Sequence, residues 1–254
     1  MKKERPRLNG VINRIASVGV ELEGGWTKDP GQPIQRDPSV KFVPPKGVED
    51  PATGRIVYPP GTVVPRWTGE IPTPNGGLPV TTVEAWMLQY YPQLVNETCG
   101  MHVHTSFKRK MHYQQLMTPE FTKRMVTSLQ EWAEAEGFPA THHIWARLKK
   151  PDHPHCAHTY CGDEQVKMKK KDFNSRGTPW SRYTAINYCA AQHNTIECRL
   201  LPMMETAEQG VRAVMRVLDT TNRFLSQIRQ KETKHFISIP HRGEVLQDYT
   251  AYVR

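Results

Sequence analysis

Long apolar runs are missing from these 254 residues. No stretch approaches the ~18 uninterrupted apolar residues that a membrane-spanning helix requires. The N-terminal MKKERPRLNGV starts basic but lacks the apolar run of a signal peptide, so the expectation is a soluble cytoplasmic protein with no membrane partner. Cysteine is scarce and odd in number, at Cys99, Cys156, Cys161, Cys189 and Cys198. Such a set is poor material for a disulfide framework and leaves reduced thiols as the default. Neither an internal repeat nor a collagen period accompanies the 21 prolines and 17 glycines, which excludes solenoids and fibres. Acidic residues are in deficit: 25 Asp and Glu against 34 Lys and Arg give +9. That surplus attracts phosphates of any kind. The basic clusters are short, however: Lys108-Arg109-Lys110, Lys149-Lys150, and Lys167 with Lys169-Lys170-Lys171. They read first as solvated faces, and nucleic acid is admissible without being indicated.

What is present supports one substantial core, with 37% hydrophobic and 23% charged residues, and length favours a single domain over residues 1–254. Val18, Val20 and Leu22 alternate with Gly19, Glu21 and Glu23 in SVGVELEGG, the period of a half-buried strand. Twelve of the 21 prolines lie between Pro30 and Pro79, which predicts loops with one or two short or edge strands, the best at Arg66 to Ile71. Thr81-Thr82 precedes Val83, Trp86, Met87, Tyr90 and Tyr91 at helical spacing and would cap that helix, with Pro92 ending it. A strand follows from Cys99 to Phe107. Thr118-Pro119 opens a second helix with Phe121, Met125, Leu129 and Trp132 on one stripe and Gly137 as its stop. Trp86, Trp132 and Met125 belong to the core, and Trp67, Trp145 and Trp180 receive no role. Residues 138–181 show little periodicity and read as a long functional connection, a lid. Strands at Arg182–Ala190 and Thr195–Leu201 precede a helix opened by the capping box Thr206-x-x-Gln209 and running to about Arg229. The tail over 232–254 is weakly specified. This irregular order argues for α+β, one antiparallel sheet backed by helices on one face.

Side-chain parity then points to chemistry, because alternate residues of a strand face opposite sides of the sheet. The polar faces carry Glu21 and Glu23 in the first strand, His102, His104 and Ser106 in GMHVHTS, and Glu197 and Arg199 in NTIECRL. Gathered on one surface, these carboxylates could not all stay ionised without cations. Carboxylates with an imidazole suit Mg²⁺ or Mn²⁺, and Arg and Ser suit phosphate oxygens.

GVELE, CGMHVHTS and TIECRLL, in this order, resemble the motifs of amidoligases with the glutamine synthetase and glutamate–cysteine ligase fold. Arg182 and Asn187 in SRYTAINY are similar to the Arg-x4-Asn pattern before that family's Glu-x-Arg strand. The resemblance implies a glutamine synthetase-like α+β fold with a polar catalytic face, and an ATP-dependent carboxylate–amine ligase acting through an acyl-phosphate. It implies two metal ions, both held by Glu21 and Glu23, with Glu70 completing one and His102 with Glu197 the other. His104 and Ser106 would lie toward ATP, Arg199 and Arg182 on phosphoryl oxygens, and Asn187 as a weaker orienting residue. Relatives carry an Asp-x-Ser followed by Glu-(Leu/Ile)-x-Ser-Pro between the first two motifs. In RWTGEIPTPNGG only Glu70 matches, a departure that touches substrate choice more than nucleotide chemistry. The acid could be a small molecule, a peptide or a modified nucleobase, paired with an amine, and the oligomeric state is open.

Rival readings remain. His153, His155, Cys156, His158 and Cys161 could hold a structural Zn²⁺, or form a metal-free polar loop. The remaining cysteines would pack as small apolar residues. Related folds include guanidino-type phosphotransferases, which would release a stable phosphorylated product. A degenerate, basic nucleic-acid-binding protein is the non-enzymatic alternative, and the retained carboxylates speak against it.

Overall fold

A computed structural model of the chain describes residues 14–42, 48–49, 51–53, 56–57, 59, 61–165, 183–189 and 195–237. Its centre is a five-stranded sheet in the order β4-β1-β5-β7-β6, with every neighbouring pair antiparallel. The strands are β1 (Ile15–Trp26), β4 (Trp67–Pro72), β5 (Gly100–Phe107), β6 (Ile186–Cys189) and β7 (Thr195–Pro202). A separate two-residue pair, β2 (Val48–Glu49) with β3 (Ile56–Val57), lies in the proline-rich region. The α+β class expected from element order is the class observed.

Apolar alternation decides which face of the sheet is covered. Val18, Val20 and Leu22 of β1, Met101 and Val103 of β5, and Ile196, Cys198, Leu200 and Leu201 of β7 are all buried. Against them pack α1 (Val83–Tyr90), α3 (Pro119–Glu136) and α6 (Ala207–Ile237). Phe121 and Met125 of α3 meet Val217 of α6 over Val103, Ile196 and Cys198 around a residual void of only about 10 Å³, so this layer is close-packed.

Local signals explain the helix limits. Thr118 Oγ1 accepts from Phe121 N at 3.2 Å with Pro119 in the first turn, and Gly137 stops α3 in a left-handed conformation (φ 77°). Thr206 and Gln209 form the reciprocal capping box, each backbone N–H donating to the other's side chain at 3.2 Å. With that start and its apolar stripe, α6 runs past the expected Arg229 to Ile237.

Four expectations need correction. Thr82 does not cap α1: a 3-10 turn at Val80–Thr82 swings its hydroxyl back to donate to the Pro79 carbonyl. The strand expected over Arg182–Ala190 is confined to Ile186–Cys189 among its described residues. A short helix, α2 (Lys110–Leu116), follows β5 where none was predicted. The long connection expected over 138–181 contains α4 (Ile144–Lys149) and α5 (Gly162–Gln165) in its described part. Ala157 N donates to Tyr183 O, Ala185 N donates to Ala157 O, and α4 packs against α3 and β7. α4 buries Ile144 and Leu148 in the core and sends Arg147 round to the polar side at Gly100. Arg182, Trp180, the cluster Lys167 to Lys171 and the end of the chain from 238 lie outside the described residues.

Candidate functional site

Register builds the site. Glu21 stands opposite His102, Glu23 opposite Glu70, His104 opposite Glu197, and Glu197 opposite Asn187. Each is a polar-face position, so four adjacent antiparallel pairings bring together residues far apart in sequence. Between Val103↔Cys198 and Met101↔Leu201 the register slips, and Arg199 and Leu200 together oppose His102. This bulge lets Leu200 and Leu201 both enter the core while Arg199 stays on the polar face.

The distances describe one connected cluster. Glu21 lies 2.8 Å from His102 Nδ1 through Oε2 and 3.3 Å from His104 Nε2 through Oε1. Glu197 Oε1 accepts from Arg199 Nη1 at 2.7 Å and stands 3.5 Å from His102 Nδ1. His102 Nε2 is 3.6 Å from Glu23 Oε1, and Gly100 N donates to Glu23 Oε2. A Cβ on Gly100 would lie 3.0 Å from Glu23 Oε2, 3.1 Å from His102 Nε2 and 3.2 Å from Arg147 Nη1, so glycine is what this close approach requires.

Electrostatics follow from burial among opposite and like charges. Burial works to raise the Glu21 carboxyl, but hydrogen bonds to His102 and His104 hold it well below the usual range. Glu197 is driven down to about 2: Arg199, His104 and His102 outweigh burial. Glu21 and Glu197 raise His104 against its own burial. Glu70 goes the other way, up to about 8, through burial and then the charges of Glu21, Asp37 and Glu23.

Two groups of side chains have the donor sets for a cation. Glu21, His102 and Glu197 each offer a ligand atom with all three atoms within 4.8 Å of one another, and so do Glu23, Asp37 and Glu70. Carboxylate oxygens with at most one imidazole fit Mg²⁺ or Mn²⁺. Asp37 was not anticipated. Backbone bonds Gln35 N→Glu70 O (2.8 Å) and Glu70 N→Gln35 O (2.9 Å) bring its loop to β4. Asp37 sits in a local turn in which its Oδ1 accepts from Ser39 N at 2.7 Å.

Other predicted site residues fall differently. Asn187 is fully buried. Its Nδ2 donates to Glu197 Oε2 at 2.9 Å, and its Oδ1 accepts from Gln165 Nε2 (2.9 Å) and Thr184 Oγ1 (2.6 Å). With its amide so engaged it fixes the orientation of Glu197 Oε2. Ser106 is committed to Ser17, with the two Oγ atoms 2.7 Å apart. Nδ1 of His104 is 3.1 Å from Thr195 Oγ1. Neither group that could hold a cation among the described residues includes the His/Cys tract, whose His158 Nε2 donates to the Arg147 carbonyl at 2.8 Å. Burial pushes the Cys156 thiol up to about 11 and, with Arg147 nearby, His153 down to about 4, leaving a neutral pair 3.3 Å apart. All five cysteines are free and buried.

Fold and site together define an α+β protein whose polar sheet face carries a buried carboxylate–imidazole–guanidinium cluster. No protein-family model, curated protein or solved structure matches the chain. No helix among the described residues is long and apolar enough to cross a membrane.

Proposed function

We propose that this chain is an ATP-dependent carboxylate–amine ligase on a glutamine synthetase-like sheet, using Mg²⁺ or Mn²⁺. The observation that carries the reading is the pair of three-ligand groups, Glu21–His102–Glu197 on the sheet face and Glu23–Asp37–Glu70 at its edge, with Arg199 bound to Glu197. Bound divalent cations would let an anionic carboxylate approach anionic phosphates and would stabilise the charge of the transferring phosphoryl group. In this reading a carboxylate oxygen attacks the γ-phosphorus and the bond to ADP breaks. An amine nitrogen then attacks the acyl carbon, phosphate leaves, and the amine proton passes to solvent. Arg199 offers a planar donor fork to the transferring group. Asn187 and Gln165 hold Glu197 in one orientation. The free, buried thiols support a reducing, cytoplasmic setting.

Thermal melts with MgATP or MnATP, run beside a Glu197→Ala variant, test nucleotide binding before any substrate is known. A ligand present at ~100 times its dissociation constant stabilises by ~2.7 kcal/mol. The expected result is a metal-dependent shift in the wild type that the variant lacks, followed by ADP and phosphate release with a matching acid and amine. A stable phosphorylated product would make the chain a phosphotransferase instead. Absence of any shift in the wild type rules out the ligase reading.

A further inference from the structure

Arg147 is an anomaly by the ordinary rules of a core-facing helix. In α4 the inward positions are Ile144, Arg147 and Leu148, at the spacing that normally carries three apolar residues. Arg147 is only 5% exposed, yet among the described residues it has no carboxylate within ion-pairing distance. Among the described residues its guanidinium makes one hydrogen bond, from Nη1 to the Arg199 carbonyl at 3.2 Å. A guanidinium has five N–H donors and cannot shed its charge, so a buried one held by a single neutral carbonyl is costly unless something else meets it.

Its position says what that is. The Nη1 atom converges with Glu23 Oε2 and His102 Nε2 on the space over Gly100, so the guanidinium lies at the edge of both candidate cation groups. Ser106 and Thr195 mark the opposite end of the face, and Gly100 to Ser106 spans roughly 20 Å of strand. In the ligase reading the nucleotide enters from the His104 and Ser106 end, and the second substrate must approach from the other. From this geometry we infer that Arg147 is the receptor for the carboxylate of the acid substrate, which docks at the Gly100 end between Arg147 and the Glu23–Asp37–Glu70 group. The assignment rests on the ligase reading and adds the acid-binding residue and its end of the site. His155 and His153 are carried by the segment whose His155 carbonyl accepts from Arg199 Nε at 3.3 Å, and burial, with Arg147 next, depresses both imidazoles. That flank is therefore cationic or neutral, suited to an anion.

The test compares wild type, Arg147→Met and Arg147→Lys, in Mn²⁺, with succinate as the carboxylate probe and MnATP as the nucleotide probe, by melting and calorimetric titration. Succinate is expected to bind the wild type, to bind Arg147→Met roughly tenfold or more weakly, and to bind Arg147→Lys at an intermediate level, since a point charge replaces a fork. MnATP should still bind all three proteins. Ligand-free Arg147→Met should melt at or above the wild type, because an unpaired buried charge has been removed; a purely structural arginine predicts the reverse. Indifference of the wild type to succinate, equal succinate binding by all three proteins, or selective loss of MnATP in Arg147→Met would each overturn the assignment. If MnATP fails to bind any of the three while succinate binding depends on Arg147, the anion site stands and the ligase reading falls.

Discussion

Glu197 relies on Arg199 for one oxygen and on Asn187 for the other. Removing Arg199 strips a charge from the cluster, whereas removing Asn187 takes away only orientation, so Asn187 is the cleaner probe of how far the ligands are preset. Outer groups that fix a ligating carboxylate are worth roughly ten- to a hundredfold in metal affinity. Asn187→Ala should therefore weaken Mn²⁺ binding by that factor while leaving the cooperative melt intact, as calorimetric titration against circular dichroism would reveal. An unchanged affinity would mean that Arg199 alone fixes the carboxylate. Asn187 was expected only as a weak orienting residue, by resemblance. Its partner Gln165 comes from a segment with no readable period, so the sequence did not show what holds the amide in place.

At the scale of elements, the second candidate cation group depends on how a loop meets an edge strand. Gly69 adopts φ +147°, and a Cβ there would collide with the Gln35 carbonyl that anchors the loop to Glu70. Gly69→Ala should release this bridge, move Asp37 away from Glu23 and Glu70, and reduce Mn²⁺ stoichiometry from two toward one; full retention of both sites would contradict it. The start of α6 gives a simpler case. Thr206→Ala deletes one arm of the capping box and should lower unfolding stability by ~1 kcal/mol in a denaturant titration, with no change in metal binding. Both glycine and capping box were visible as residues, but only the capping box carried its meaning in sequence. Gly69 sits in TGEIP with nothing to show which backbone it approaches. The β7 bulge was equally silent, because Leu200-Leu201 reads as an ordinary strand end until Met101 is seen to pair with Leu201.

For the whole molecule the cluster sets an unusual dependence on pH. Glu70 is raised in the fold to about 8 from its ordinary 4.5, so its contribution is fully present below about 4.5 and is lost as pH rises toward 8. His104, also raised, adds to the same loss above its ordinary 6.5. Glu197 is lowered to about 2, so its contribution is present above 4.5 and disappears as pH falls toward 2. Metal-free protein should therefore be most stable in mildly acid solution and melt progressively lower between about pH 5 and about pH 8. Divalent cations, by holding Glu70 ionised, should remove most of that decline. Parallel melts in EDTA and in Mn²⁺ across this window check the sign: a metal-free protein that gains stability toward pH 8 would exclude protonated Glu70 as the source.

Strand periodicity, helix caps and residue chemistry are local properties, and the chain determined them unaided. The alternation in SVGVELE, GMHVHTS and NTIECRL fixed which side chains share a face, because a strand's period of two needs no neighbour to define it. The Thr118-Pro119 start, the Gly137 stop and the Thr206-Gln209 box are satisfied within one or two turns. Long-range pairing is different, since nothing in a segment's own pattern names the backbone that will bond to it. Only the tertiary structure could bring Asp37 to Glu70, seat Gln165 behind Asn187 and turn Arg147 from a core helix onto the polar face. Those are the contacts that decide how the carboxylates are held and where an anion can enter.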